Sequence, residues 1–128
     1  MQRIIVDACG WVAVIDAGIN IDGALMQLVG PSQLLLLPDV GKELEKVNSQ
    51  RSKKKSLLLP LLKAKTIIID APEDSGNHPD DQIFSFAKNE GIPVLTVDKE
   101  LKRRLFESGI AVIEVAKNKR LNIIEVLN

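Results

Sequence analysis

Three short apolar runs, each closed by an aspartate, constrain this chain more than any other feature: Ile4-Ile5-Val6 before Asp7, Ile67-Ile68-Ile69 before Asp70, and Val94-Leu95-Thr96-Val97 before Asp98. Each is too brief for a helix and rich enough in β-branched residues for a strand, the first of them buried. Leu34 to Leu37, fenced by Gly30-Pro31 and Pro38-Asp39, leaves room only for another strand, and Ile110 to Val115 reads as a fifth. Between these runs the apolar residues fall at helical spacing. Trp11, Val12, Val14 and Ile15 give a short helix before a turn at Asp16-Ala17-Gly18. A second helix runs from about Asn20 to Val29, and a third opens at Pro38-Asp39 with Val40, Leu44 and Val47 on one face. Lys117 to Arg120 turns the chain, and Leu121 to Leu127 fits a last strand or a short helix. Strand alternating with helix predicts a three-layer α/β/α sandwich around a mostly parallel sheet.

The densest stretch is residues 78–105. Ile83, Phe84, Phe86 and Ala87 recur with a helix period after Pro79-Asp80, Gly91 to Pro93 turns the chain, and a second helix begins at Asp98. Asp80 and Asp98 thus both stand at helix starts, where free N–H groups and the positive end of the helix dipole favour carboxylates. Capping alone explains either residue. It does not explain Asp7, an acid at the end of a buried strand, which costs desolvation unless paired or coordinated.

In a parallel sheet, the ends of strands one and four and the helix starts after strands two and three face one edge. Asp7, Glu43, Asp80 and Asp98 are therefore expected to meet there. Glu43, within KELEK, is also what a solvated helix face looks like. Four acids without a basic partner repel one another unless cations neutralise them, so one or two Mg²⁺ or Mn²⁺ ions are expected. Two such ions about 3.5–4 Å apart activate water and stabilise a leaving oxygen in phosphodiester hydrolysis.

Composition narrows the partners. Seventeen basic residues balance seventeen acidic ones in 128 residues, so nucleic-acid binding must use local patches rather than a global field. The run Arg51, Lys53, Lys54 and Lys55 is the candidate for holding an RNA backbone, against the plainer reading of a solvated face. The length suits one domain over residues 1–128. A lone cysteine, Cys9, excludes an internal disulfide and fits a reducing cytoplasm. Asp7 interrupts the N-terminal apolar run, so no secretory signal is expected, and no apolar run reaches membrane-spanning length. His78 lacks a second histidine or usable cysteine, which makes it a surface loop residue rather than a zinc ligand. Trp11 and the three phenylalanines are expected in the core.

Four patterns in order, IIVDA at 4–8, PDVGKELEKV at 38–47, PDDQI at 79–83 and VLTVDKELKRRL at 94–105, resemble a PIN domain, the metal-dependent ribonuclease fold of VapC-type toxins and of RNA-processing nucleases. The resemblance covers nearly the whole chain. It implies a metal site carried by Asp7, Glu43, Asp80 and Asp98, with Thr96 as a polar helper. Asp81, adjacent to Asp80, stays open as the ligand of that pair. It further implies single-stranded or structured RNA as substrate, a homodimer, and an antitoxin or RNA-processing protein as partner. Cys9 departs from the pattern, because relatives commonly carry Asn or Ser two places after the first acid. Two other readings stand beside this one. The first is a PIN-like RNA-binding or assembly module without turnover. The second is a phosphoacceptor receiver domain with Asp70 as acceptor, Thr96 as switch hydroxyl and Lys117 as the strand-end lysine.

Overall fold

A computed structural model describes residues 1–50, 60 and 64–125. The described elements run β1 (Gln2–Val6), α1 (Ala8–Ala17), α2 (Ile21–Val29), β2 (Ser32–Leu36), α3 (Pro38–Asn48), β3 (Thr66–Ile68), α4 (Pro79–Glu90), β4 (Val94–Leu95), α5 (Lys99–Glu107), β5 (Val112–Val115) and β6 (Leu121–Ile124). The strands form one six-stranded sheet in the order β3-β2-β1-β4-β5-β6. The first five are parallel and β6 returns antiparallel, with Val115 opposite Leu121. The three-layer α/β/α sandwich expected from the strand and helix alternation is the architecture found.

The sequence explains each boundary. Ile4, Ile5 and Val6 of β1 and Leu34, Leu35 and Leu36 of β2 are almost wholly buried, as strands covered on both faces must be. Asp7 caps α1 through its side chain, and Gly18, at φ 67°, closes that helix in the left-handed conformation that glycine adopts without a Cβ clash. Pro38 and Pro79 stand at the first positions of α3 and α4, where a missing N–H costs nothing. Trp11, Val14, Leu25, Val40, Leu44, Ile83, Leu101 and Leu105 bring the helices onto the sheet. No single helix among the described residues is long and apolar enough to cross a membrane.

The chain builds β1, β2 and β3 outward in one direction and then returns to the other side of β1 for β4. The winding reverses between β1 and β4, and in open α/β sheets such a reversal leaves a crevice at the carboxyl ends of the two strands. Asp7 leaves β1 at that point, and Thr96 and Asp98 follow β4 there.

Some expectations change. The last element is a strand, because Leu121–Ile124 pairs with β5. The fifth strand is Val112–Val115, shorter than Ile110 to Val115, and only Val94 and Leu95 of the fourth run pair as a strand. Phe106 is 50% exposed rather than in the core, since α5 buries Leu101 and Leu105 and turns Phe106 outward. Asp70 follows the edge strand and is exposed, as is Lys117, and the Thr96 hydroxyl is engaged by Asp7. A receiver-type phosphorylation site is thereby dismantled. Arg51, Lys53, Lys54 and Lys55 lie outside the described residues.

Candidate metal and phosphodiester site

Asp7 is the most constrained side chain of the crevice. It is 4% exposed, and its Oδ1 accepts the Gly10 N–H at 2.7 Å, the capping bond that starts α1. Its Oδ2 accepts the Thr96 hydroxyl. The Cys9 thiol lies 3.3 and 3.2 Å from the two carboxylate oxygens and 3.5 Å from the Thr96 Oγ1. Burial raises the Asp7 pKa from an ordinary 3.8 to about 6. The bonds from Thr96, Gly10 and Cys9 pull it back, and the charge of Asp80 adds to the rise. The Cys9 thiol is pushed up to about 11, by burial first and by the Asp7 charge second, which keeps it a protonated donor to that carboxylate.

Thr96, fully buried, links two of the acids. Its hydroxyl donates to Asp7 and its oxygen accepts the Asp98 N–H at 3.1 Å. Asp98 in turn caps α5, accepting the Leu101 N–H at 2.8 Å on Oδ1. Asp7 and Asp98 are therefore both helix caps and cleft acids.

Asp80 behaves differently. The cap of α4 is His78, whose Nδ1 accepts the Asp80 N–H at 3.2 Å, so the Asp80 carboxylate has no capping duty. Its pKa is raised by partial burial and then by the charge of Asp98, against opposing effects of His78 and Arg104. Asp81 points elsewhere: Arg104 Nη1 donates to it at 2.9 Å, and the same guanidinium lies 4.6 Å from the centre of the Phe84 ring. This resolves the adjacent pair in favour of Asp80 as the cleft residue. Gln82, buried one position on, donates from Nε2 to Asp39 and to the Gly76 carbonyl, both at 3.0 Å, and so ties the start of α4 to α3 and to the preceding loop.

Asp7, Cys9, Glu43, His78, Asp80 and Asp98 line one cleft of about 180 Å³. Glu43 reaches it from α3 and is exposed. His78 belongs to the cleft and not merely to a surface loop. Its place immediately before the helix-opening Pro79 was the sequence signal that it caps α4. The donor set is almost wholly carboxylate oxygen, the chemistry that hard divalent cations prefer. The buried, proton-hungry Asp7 beside Asp80 is what a cation would relieve. The acids share the cleft without converging: among the described residues, no three His, Cys, Asp or Glu side chains are gathered closely enough to hold a metal ion.

Comparison with known proteins identifies the family and the fold. A family model described as a PIN like domain matches residues 4–118. Ribonuclease VapC4 of Methanocaldococcus jannaschii is 30% identical over 127 residues, an alignment spanning 96% of this chain and 97% of that protein. Among solved structures, the PIN domain endonuclease Utp24 superposes with a TM-score of 0.80 at 22% identity, over 98% of this chain and 93% of that one. VapBC2 from Rickettsia felis, bound to a DNA fragment from its promoter, gives a TM-score of 0.66 at 16% identity, over 88% and 98% of the two chains. At these identities the two structural likenesses speak to the fold.

Proposed function

This chain belongs to the PIN-like domain family, and we propose that it is a divalent-metal-dependent endoribonuclease acting at the cleft of Asp7, Glu43, Asp80 and Asp98. The observation that carries this reading is the Asp7 carboxylate, buried, raised to a pKa of about 6 and facing three further acids across one cleft at the winding reversal of the sheet. Retaining such an acid costs stability that only a bound cation returns.

In this reading Asp7, Asp80, Asp98 and Glu43 hold Mg²⁺ or Mn²⁺, as one ion or two. When bound, the ion lowers the pKa of its water and takes up charge on the phosphodiester. Thr96 keeps the Asp7 carboxylate in one orientation and fixes the strand-to-helix turn that presents Asp98. Asp80, free of capping, is able to turn toward a cation in the cleft without loosening α4. His78, with Nδ1 occupied by the Asp80 N–H, presents its Nε2 edge to substrate in the cleft. Arg51, Lys53, Lys54 and Lys55 are proposed to contact the RNA backbone. The likeness to Ribonuclease VapC4 supports an RNA substrate; a homodimer and an antitoxin or processing partner are proposed with it, and the free Cys9 suits a reducing cytoplasm.

A second reading has one observation in its favour. The Cys9 thiol occupies Asp7, and the acids do not converge on a common point. A PIN-like module that binds RNA without cutting it would look the same.

The deciding experiment offers labelled single-stranded and structured RNAs with Mg²⁺, Mn²⁺ or EDTA, alongside Mn²⁺ calorimetry on the native chain, Asp7→Asn and Asp98→Asn. Metal-dependent cleavage, lost in both variants together with Mn²⁺ heat, supports the nuclease. RNA binding with no cleavage of any RNA in either metal establishes the module instead.

A further inference from the structure

A second cavity, larger than the acidic cleft, lies elsewhere on the molecule. It measures about 720 Å³ and lies between the α1–α2 turn and the β5–β6 hairpin. That volume is within the roughly 300–1,000 Å³ of clefts that hold ligands. Its polar lining consists of the amides of Asn20, Gln27 and Asn122 and the cations of Lys119 and Arg120, and no acidic side chain lines it. Neither Lys119 nor Arg120 makes an ion pair among the described residues, so both cations are free to meet a ligand's charge.

The hairpin fixes the backbone that carries these two cations. The Lys119 N–H donates to the Ala116 carbonyl at 3.1 Å, and the Ala116 N–H to the Arg120 carbonyl at 2.8 Å. Lys119 sits at φ 60°, a left-handed conformation that a lysine adopts at a cost, in a turn where glycine or asparagine would be free of strain.

We infer that this cleft binds the phosphodiester backbone of single-stranded RNA, through Lys119 and Arg120, at a second site distinct from the acidic cleft. The two are linked by α1. Asp7 caps the start of that ten-residue helix, and Ala17 at its end lines the basic cleft. At about 1.5 Å of rise per residue the sites stand roughly 15 Å apart, a span that one extended RNA strand crosses. The amides beside the cations offer donors and acceptors without added charge, so they contact sugar and base edges while the cations take phosphates. The choice of RNA rests on the nuclease or RNA-module reading. The binding itself requires no metal and no turnover.

The test is fluorescence anisotropy of a labelled single-stranded oligoribonucleotide, long enough to span both clefts, titrated with the whole chain in EDTA over a range of salt. The variant Lys119→Asn/Arg120→Gln retains a residue that tolerates the left-handed turn. It is expected to weaken binding about tenfold and to flatten the slope of log affinity against log salt by about 1.4, the loss of two single-strand phosphate contacts. Lys117→Gln removes a charge from the same hairpin but does not line the cleft, and is expected to bind as the native chain does. Unchanged affinity and slope in the double variant, or an equal loss in Lys117→Gln, would overturn the site. Failure of the native chain to cleave RNA bears on the nuclease reading only, because this titration runs without metal.

Discussion

Thr96 donates its hydroxyl hydrogen to Asp7 from 89 positions away, across the β1–β4 seam of the sheet. The same oxygen accepts the Asp98 N–H. One buried side chain thus aligns the acid that ends the first strand with the acid that starts the last described helix.

Thr96→Val keeps the shape of the side chain and removes both bonds. It leaves the Asp98 N–H without a partner and Asp7 Oδ2 with the Cys9 thiol alone, so a loss of about 2 kcal/mol is expected in urea denaturation. Thr96→Ser, which retains the hydroxyl, is expected to lose less than half as much. Equal stability of Thr96→Val and the native chain would show that the seam does not depend on this bond.

The raised pKa of Asp7 sets a pH dependence for the metal-free chain. Between an ordinary 3.8 and about 6 the folded form binds more protons than the unfolded form, so stability falls as pH rises through that window and stays low above it. A shift of this size amounts to roughly 3 kcal/mol at neutral pH. In EDTA, the unfolding free energy is expected to decline from about pH 4 to about pH 7, and Asp7→Asn is expected to flatten the decline and stabilise the neutral protein. Added Mn²⁺ should restore native stability at neutral pH and leave Asp7→Asn unmoved. A metal-free chain that grows more stable over this range would contradict the burial of Asp7.

Gly10 lets α1 approach β4. A Cβ at this position would stand 2.5 Å from the Leu95 carbonyl oxygen and 2.9 Å from Asp7 Oδ1, contacts that backbone cannot yield cheaply. Gly10→Ala is expected to lose about 3 kcal/mol and to lower the melting temperature accordingly. Because the clash reaches Asp7 directly, any surviving activity should fall by more than the folded fraction does. An unaltered melting curve would mean that α1 lies farther from the sheet.

Asp80 and Asp81 separate by what each faces. Asp81→Asn breaks the Arg104 pair and is expected to leave RNA cleavage within about threefold of native, since a half-exposed pair of this kind contributes little. Asp80→Asn is expected to cost at least a hundredfold, more than the roughly 10–100-fold lost when a group merely supporting a metal ligand is removed. Comparable losses in the two variants would count against Asp80 as the cleft acid.

Asp80 and Asp81 also mark where reading the chain stops. Consecutive residues on a helix point about 100° apart, and only the packing of α4 against Arg104 and His78 turns one toward the cleft and the other away. His78 looked like a loop residue because its capping role depends on the helix that follows it. The hairpin cations Lys119 and Arg120 looked like an ordinary turn, since the α1–α2 turn that completes their cleft is about a hundred residues away in the chain.

Strand alternating with helix, the aspartates after β1 and β4, and the glycines and prolines that bound several of the elements were all written in local residue order. Backbone propensity and apolar periodicity act over a few residues, so the sequence by itself determined them. Strand order, the reversal of winding between β1 and β4, the Thr96 bridge to Asp7 and the choice between adjacent acids were decided by tertiary structure alone. Each depends on which distant segments share buried surface, and no local pattern encodes that.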